Sequence, residues 1–196
     1  MDADRRCWDE RWNAGSDSDD RGTPTPPVIL QAHPELLDAV PADGVGVDVA
    51  CGLGAQALWM AERGLHVTAL DVSPVAIDSV RARVRDAAAS GGIHVDAVVW
   101  DTDDGLPAHL VDLALVVCQR YRATDLYDDF VERLRPGGCL VLTVLSAVGL
   151  AGEAGPFHAP PGELTDSFAG AVSDGVVDVL VDDEGDGQAS VVLRRR

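Results

Sequence analysis

The stretch VGVDVACGLGAQALWMAERG, residues 45–64, constrains this chain more than any other. An apolar run, VGVDVA (45–50), passes through glycines 52 and 54 into GAQALWMAER (54–63), which reads as a helix ended by Gly64. A buried strand that turns tightly on glycine into a helix is the opening unit of a parallel α/β sheet. The alternation then repeats. HVTALDV (66–72) is a second strand, and Ser73 and Pro74 open a helix running to about Ala89. IHVDAVVWD (93–101) is a third strand and VDLALVVC (111–118) a fourth. A helix over Asp125–Leu134 is broken by Arg135-Pro-Gly-Gly138, and CLVLTVL (139–145) is a fifth strand.

The ends depart from this rhythm. GVVDVLVDD (175–183) and QASVVLRRR (188–196) flank the short turn EGDG, a hairpin that makes one edge of the sheet antiparallel. Residues 147–162 are rich in glycine and proline and read as a loop, with a helix from about 163 to 172. Before the first strand, Trp8 and Trp12 are four residues apart and would share one helix face. The run Thr23-Pro-Thr-Pro-Pro27 stops that helix, and Leu30, Leu36, Leu37 and Val40 predict another over 28–39. The fold class is therefore α/β, a doubly wound Rossmann-like sheet, mostly parallel, with a C-terminal antiparallel hairpin.

Composition narrows the partners. The formal charge is −18, which opposes nucleic acid and anionic membrane surfaces. All 15 basic residues are arginine. Without lysine the chain is neither a Schiff-base enzyme nor a P-loop protein. Cys7, Cys51, Cys118 and Cys139 lack metal or disulfide spacing, so no metal is expected. The charged start is no signal peptide, and the longest nearly apolar run (139–152) is too short for a bilayer. A cytoplasmic protein without membrane partners is expected.

Ligands of doubly wound sheets sit at the carboxyl ends of the strands. Three acids stand there: Asp48 before the glycine turn, Asp71 and Asp101. GLGAQA also satisfies the dinucleotide fingerprint G-x-G-x-x-G/A, so a nicotinamide-binding reductase is the rival. Asp48 would oppose a pyrophosphate over the turn, whereas a cationic ligand welcomes it. A reductase also needs a substrate domain or a tyrosine–lysine proton relay, for which the chain has neither length nor lysine.

With Asp71, Asp101 and RPGG in order behind it, the run DVACGLGA resembles the class I S-adenosylmethionine-dependent methyltransferases. WDERW, ALWMAERG, ALDVSPVAI and PPGEL are similar to segments of the small bacterial tellurite-resistance and thiopurine methyltransferase group. The resemblance implies a seven-stranded sheet and a single domain over 1–196, with 1–42 a helical lid and 43–196 the cofactor-binding core. It implies that Asp48 reaches the methionine amino group and that Ala50, Gly52 and Gly54 let the backbone approach the cofactor. Asp71, beside Val72, would hold the ribose, and Asp101 with Thr102 would meet the adenine. Cys118 would offer its carbonyl, Trp8 and Trp12 would cover the cofactor, and Arg11 would pair with its carboxylate.

Arg120, Tyr121 and His158 are the candidates for binding a small-molecule substrate, in a monomer or homodimer. Strand four ends Cys118-Gln-Arg-Tyr121, without the Asp/Asn-Pro-Pro-Tyr/Phe motif of nucleobase methylation, which argues against DNA. No residue stands out as a catalytic base, so methyl transfer by proximity and orientation is expected. A methyltransferase fold kept for binding or regulation, without catalysis, is the alternative.

Overall fold

A computed structural model describes residues 2–13, 23–88 and 92–196. Seven strands are ordered β3-β2-β1-β4-β5-β7-β6. They are β1 (Val45–Val49), β2 (His66–Asp71), β3 (His94–Val99), β4 (Leu113–Gln119), β5 (Leu134–Leu145), β6 (Val177–Gly185) and β7 (Gln188–Arg195). The helices are α1 (Asp2–Asn13), α2 (Val28–Ala32), α3 (Ala55–Glu62), α4 (Pro74–Ala88), α5 (Tyr127–Glu132) and α6 (Glu163–Ser173). The chain forms two compact units, one of Met1–Pro26 with Ala42–Gly105, the other of Pro27–Pro41 with Leu106–Arg196.

In the first unit β1, β2 and β3 pair in parallel, with Val45 opposite His66 and His66 opposite His94. β1 and β2 are buried along nearly their whole length, as expected of strands covered on both faces. β3 alternates between exposed and half-buried positions, which befits the edge strand it is. Arg81 of α4 donates from Nε and Nη2 to the Ala97 carbonyl, occupying a polar group on that edge.

In the second unit β4 and β5 are parallel, while β7 runs antiparallel to both β5 and β6. The hairpin turns on Asp186 (φ 51°) and Gly187 (φ 79°), the two positive dihedrals that a tight two-residue connection requires. Buried Phe130 and Phe168 lie on α5 and α6, with Tyr127 tilted against both at 6.4 and 5.5 Å.

Three elements depart from expectation. The helix predicted over 28–39 stops at Ala32, because Pro34 has no N–H to continue it; a 3₁₀ turn, Pro34–Leu36, follows. The helix predicted over 125–134 begins as a 3₁₀ turn, Thr124–Leu126, and α5 proper covers only Tyr127–Glu132. RPGG does end that region, but β5 has already begun. Leu134 lies opposite Leu113 and Cys139 opposite Leu115, so the four residues between them loop out within the strand.

Candidate functional site

The glycine turn after β1 is built from alternating left-handed residues: Ala50 (φ 53°), Gly52 (φ 52°) and Gly54 (φ 81°). Side chains rarely tolerate that region, and the two glycines also sit in tight surroundings. A Cβ at Gly54 would lie 2.7 Å from Val80 Cγ2, and one at Gly52 would lie 3.0 Å from the Trp12 ring. The turn thus lets α3 start against α4 and leaves its open face under an indole.

Acids surround this turn. Asp48 is only 1% exposed within β1. Asp71, 7% exposed, accepts the Gly52 N–H at Oδ2 and the Ser73 N–H at Oδ1, both at 2.9 Å. Burial pushes the Asp71 carboxyl above its ordinary range; its two backbone hydrogen bonds oppose this and the Asp9 carboxylate adds to it. Ser73 caps α4 by accepting the Ala76 N–H at Oγ, as the sequence suggests. The same hydroxyl donates to Asp9 Oδ1 at 2.5 Å, so α1 is hydrogen-bonded to the start of α4. Asp9 is a neighbour of this site that the sequence did not disclose.

α1 brings its aromatic face to the same place. Trp8 and Trp12 stack with centroids 6.2 Å apart and planes at 24°, and both are half-buried. Trp12 Nε1 is buried with no hydrogen-bond partner among the described residues. The side chain of Arg11 lies outside what is described, although its backbone is part of α1. Val72 is half-buried between Asp71 and Ser73. Asp101 is half-buried and caps the 3₁₀ turn Thr102–Asp104 by accepting the Asp103 N–H at Oδ1. Trp100 next to it donates from Nε1 to the Gly105 carbonyl at 2.7 Å. The first unit therefore gathers Trp8, Trp12, Asp48, Ala50, Gly52, Gly54 and Asp71 around one turn, with Asp101 and Thr102 beyond β3.

The remaining candidates belong to the second unit. Cys118 is fully buried at the end of β4, and its thiol donates to the Tyr121 carbonyl at 3.4 Å. Arg120 is exposed and left-handed (φ 58°), its N–H held by the Thr143 carbonyl at 2.7 Å. His158 Nδ1 lies 3.0 Å from the Gly155 nitrogen and 3.3 Å from the Gly155 carbonyl oxygen, which ties the ring to its own loop. Two groups here went unnoticed in the sequence. Arg122 grips Glu163 bidentately, Nε to Oε1 at 2.8 Å and to Oε2 at 3.0 Å, with Nη2 also on Oε2. Tyr127, 2% exposed, has a buried hydroxyl with no hydrogen-bond partner among the described residues. An unmade hydrogen bond of this kind costs about 1–3 kcal/mol.

Among the described residues no group of three or more His, Cys, Asp or Glu is placed to hold a metal ion. No helix among them is long and apolar enough to cross a membrane.

Comparison with known proteins agrees with this architecture. Residues 47–138 match a family model described as a methyltransferase domain. TehB from Haemophilus influenzae superposes with a TM-score of 0.65 at 15% identity, over 84% of this chain and 62% of that one. This chain thus spans less than two thirds of the TehB chain. A structure concerned with conversion of a disulfide bond into a thioacetal group during echinomycin biosynthesis gives 0.68 at 21% identity, covering 97% and 92%. The geranyl diphosphate C-methyltransferase of Streptomyces coelicolor A3(2), solved with Mg²⁺, geranyl diphosphate and S-adenosyl-L-homocysteine, gives 0.62 at 16% identity, covering 85% and 80%. No curated protein sequence matches. The chain has the fold of these solved proteins, and its residues 47–138 match the methyltransferase-domain model.

Proposed function

We propose that this chain binds S-adenosylmethionine in its first unit and transfers the methyl group to a small-molecule acceptor. One observation carries the choice of cofactor: the Gly52 N–H, the group a pyrophosphate would seek, is donated to the Asp71 carboxylate. A helix N-terminus offers an anion about 0.3–2 kcal/mol. Two like charges about 4 Å apart repel by about 4 kcal/mol at an effective dielectric of 20. Repulsion wins, and Asp48 beside the turn adds to it. That disfavours the nicotinamide reductase.

The residues fit the cofactor in the roles the resemblance suggests. Asp48 suits an ammonium group and Asp71 has a second lone pair on each oxygen for ribose hydroxyls. Trp12 has an unused indole N–H, and the Trp8 and Trp12 faces attract a sulfonium by about 0.5–2 kcal/mol. Asp101, Thr102, Val72, Ala50, Gly54 and Arg11 complete the proposed set. When bound, S-adenosylmethionine supplies a methyl group already activated on a sulfonium.

The chain's own contribution is to align the partners and exclude water, worth about 7–11 kcal/mol of barrier for well-placed reactants. His158 is not offered as a base, because its Nδ1 is engaged with Gly155 of its own loop.

Calorimetry with S-adenosylmethionine and with NAD tests the proposal. Binding of the first alone is expected, and NAD binding in preference would overturn it. Asp71→Ala should weaken the cofactor at least about tenfold, a loss of about 1.4 kcal/mol. A fold retained only for binding would pass that test. Transfer of labelled methyl to a panel of thiols, phenols and amines separates it from an enzyme.

A further inference from the structure

Gly52 opens a space by having no side chain, and the structure shows what fills it. A Cβ built there would lie 3.0 Å from both Cη2 and Cζ2 of Trp12. Carbon atoms in ordinary contact stand about 3.5–4.0 Å apart. Nothing as thick as a methyl group therefore fits between Gly52 and the indole on that side. A ligand held by the turn needs the same space, because a glycine in such a turn serves to let it come close to the backbone. Indole and cofactor cannot both stand on Gly52.

The way the indole is held points to a contact that can be given up. Asp9 lies three residues before Trp12 on α1, so the two are neighbours on the helix surface. Asp9 Oδ1 accepts the Ser73 hydroxyl at 2.5 Å, a charge-assisted bond of the short, strong kind. Ser73 is a fixed anchor. It is fully buried, its N–H is donated to Asp71 and its Oγ accepts the Ala76 N–H. The indole is less well served. Trp12 Nε1 is buried without a hydrogen-bond partner among the described residues, a state that native interiors rarely leave in place. Trp12 is thus pinned, through Asp9, where its own N–H goes unsatisfied, and it gains a partner by leaving.

Resting on the S-adenosylmethionine reading, we propose that α1 is an internal stopper: Trp12 holds the cofactor's place on Gly52, the Asp9–Ser73 bond locks it there, and the cofactor binds by displacing it. Asp9 is then a positioning residue that acts through Trp12 and touches no reacting atom. Apparent affinity rises with the fraction of chains that are open, so removing the lock tightens the cofactor. An acid that contacted the cofactor, or a lid that closed over it, would act in the opposite sense.

Calorimetry with S-adenosylmethionine on wild type and Asp9→Ala tests this. Alanine is a better helix former than aspartate, so the variant retains α1. Asp9→Ala should bind S-adenosylmethionine at least about threefold more tightly than wild type. Limited digestion with trypsin gives a second readout. The chain has no lysine, so cleavage within α1 falls after Arg5, Arg6 and Arg11. Saturating S-adenosylmethionine should speed those cleavages in wild type at least about threefold, and Asp9→Ala should show the faster rate without it.

Equal or weaker binding by Asp9→Ala, or cleavage in α1 that is unchanged or slowed by S-adenosylmethionine, overturns the stopper and leaves the cofactor reading standing. No binding of S-adenosylmethionine by either protein removes that reading, and the stopper with it.

Discussion

Asp71 shows how one side chain can serve the fold and a ligand at once. Its two oxygens each take a backbone N–H, from Gly52 and Ser73, which fixes the glycine turn and the start of α4. Burial dominates its titration and raises its folded value above the ordinary 3.8. A raised carboxyl value means that the folded state binds the proton more tightly than the unfolded chain. Its stabilising contribution is therefore complete below 3.8 and is lost as pH rises through the folded value. Thermal unfolding of wild type and Asp71→Asn across pH 3.5–7 checks this; the difference should move in favour of wild type as pH falls. A difference that moves the other way would mean that the hydrogen bonds outweigh burial. Gly54 is a simpler case. Gly54→Ala forces a side chain into φ 81° and drives its Cβ against Val80. A cost of about 1–3 kcal/mol is expected, which lowers Tm by roughly 2–10 °C in a chain of this size.

At the scale of elements, the link between α1 and α4 is the one most open to test. Ser73→Ala removes both the cap on α4 and the partner of Asp9, whereas Asp9→Ala removes only the second. The first should cost about 0.5–2 kcal/mol and the second less, but both should loosen α1. Tryptophan fluorescence, through Trp12 against Gly52, reports that loosening. An unchanged spectrum in both variants would show that the indoles hold α1 without Asp9. The same elements show what could be read without coordinates. The glycine turn, the strand-end acids and the Ser73 cap depend on neighbours in sequence, so they were visible there. Asp9 and Ser73 are 64 residues apart, and Arg122 and Glu163 are 41 apart, so neither pair leaves a local pattern. The break at Pro34 was overridden by a helical spacing of leucines. RPGG reads as a stop, yet β4 pairs with β5 on both sides of it, which only the sheet register reveals.

For the whole chain the dominant number is the net charge of −18, carried without a single lysine. Like charge at this density opposes the compact state. Raising NaCl from about 0.05 to 1 M shortens the screening length from over 10 Å to about 3 Å. Tm should therefore rise with salt, and a flat or falling series would show that local pairs such as Arg196 with Asp178 govern instead. The position of β7 has a different consequence. β6 touches the sheet through β7 alone, which runs between it and β5. A ribosome that has just exposed residues 177–185 has therefore exposed a strand whose sheet partner is still to come. A chain stopped after Gly187 would lose the use of both strands, and with them the Glu184 carboxylate that steadies the entrance to α6.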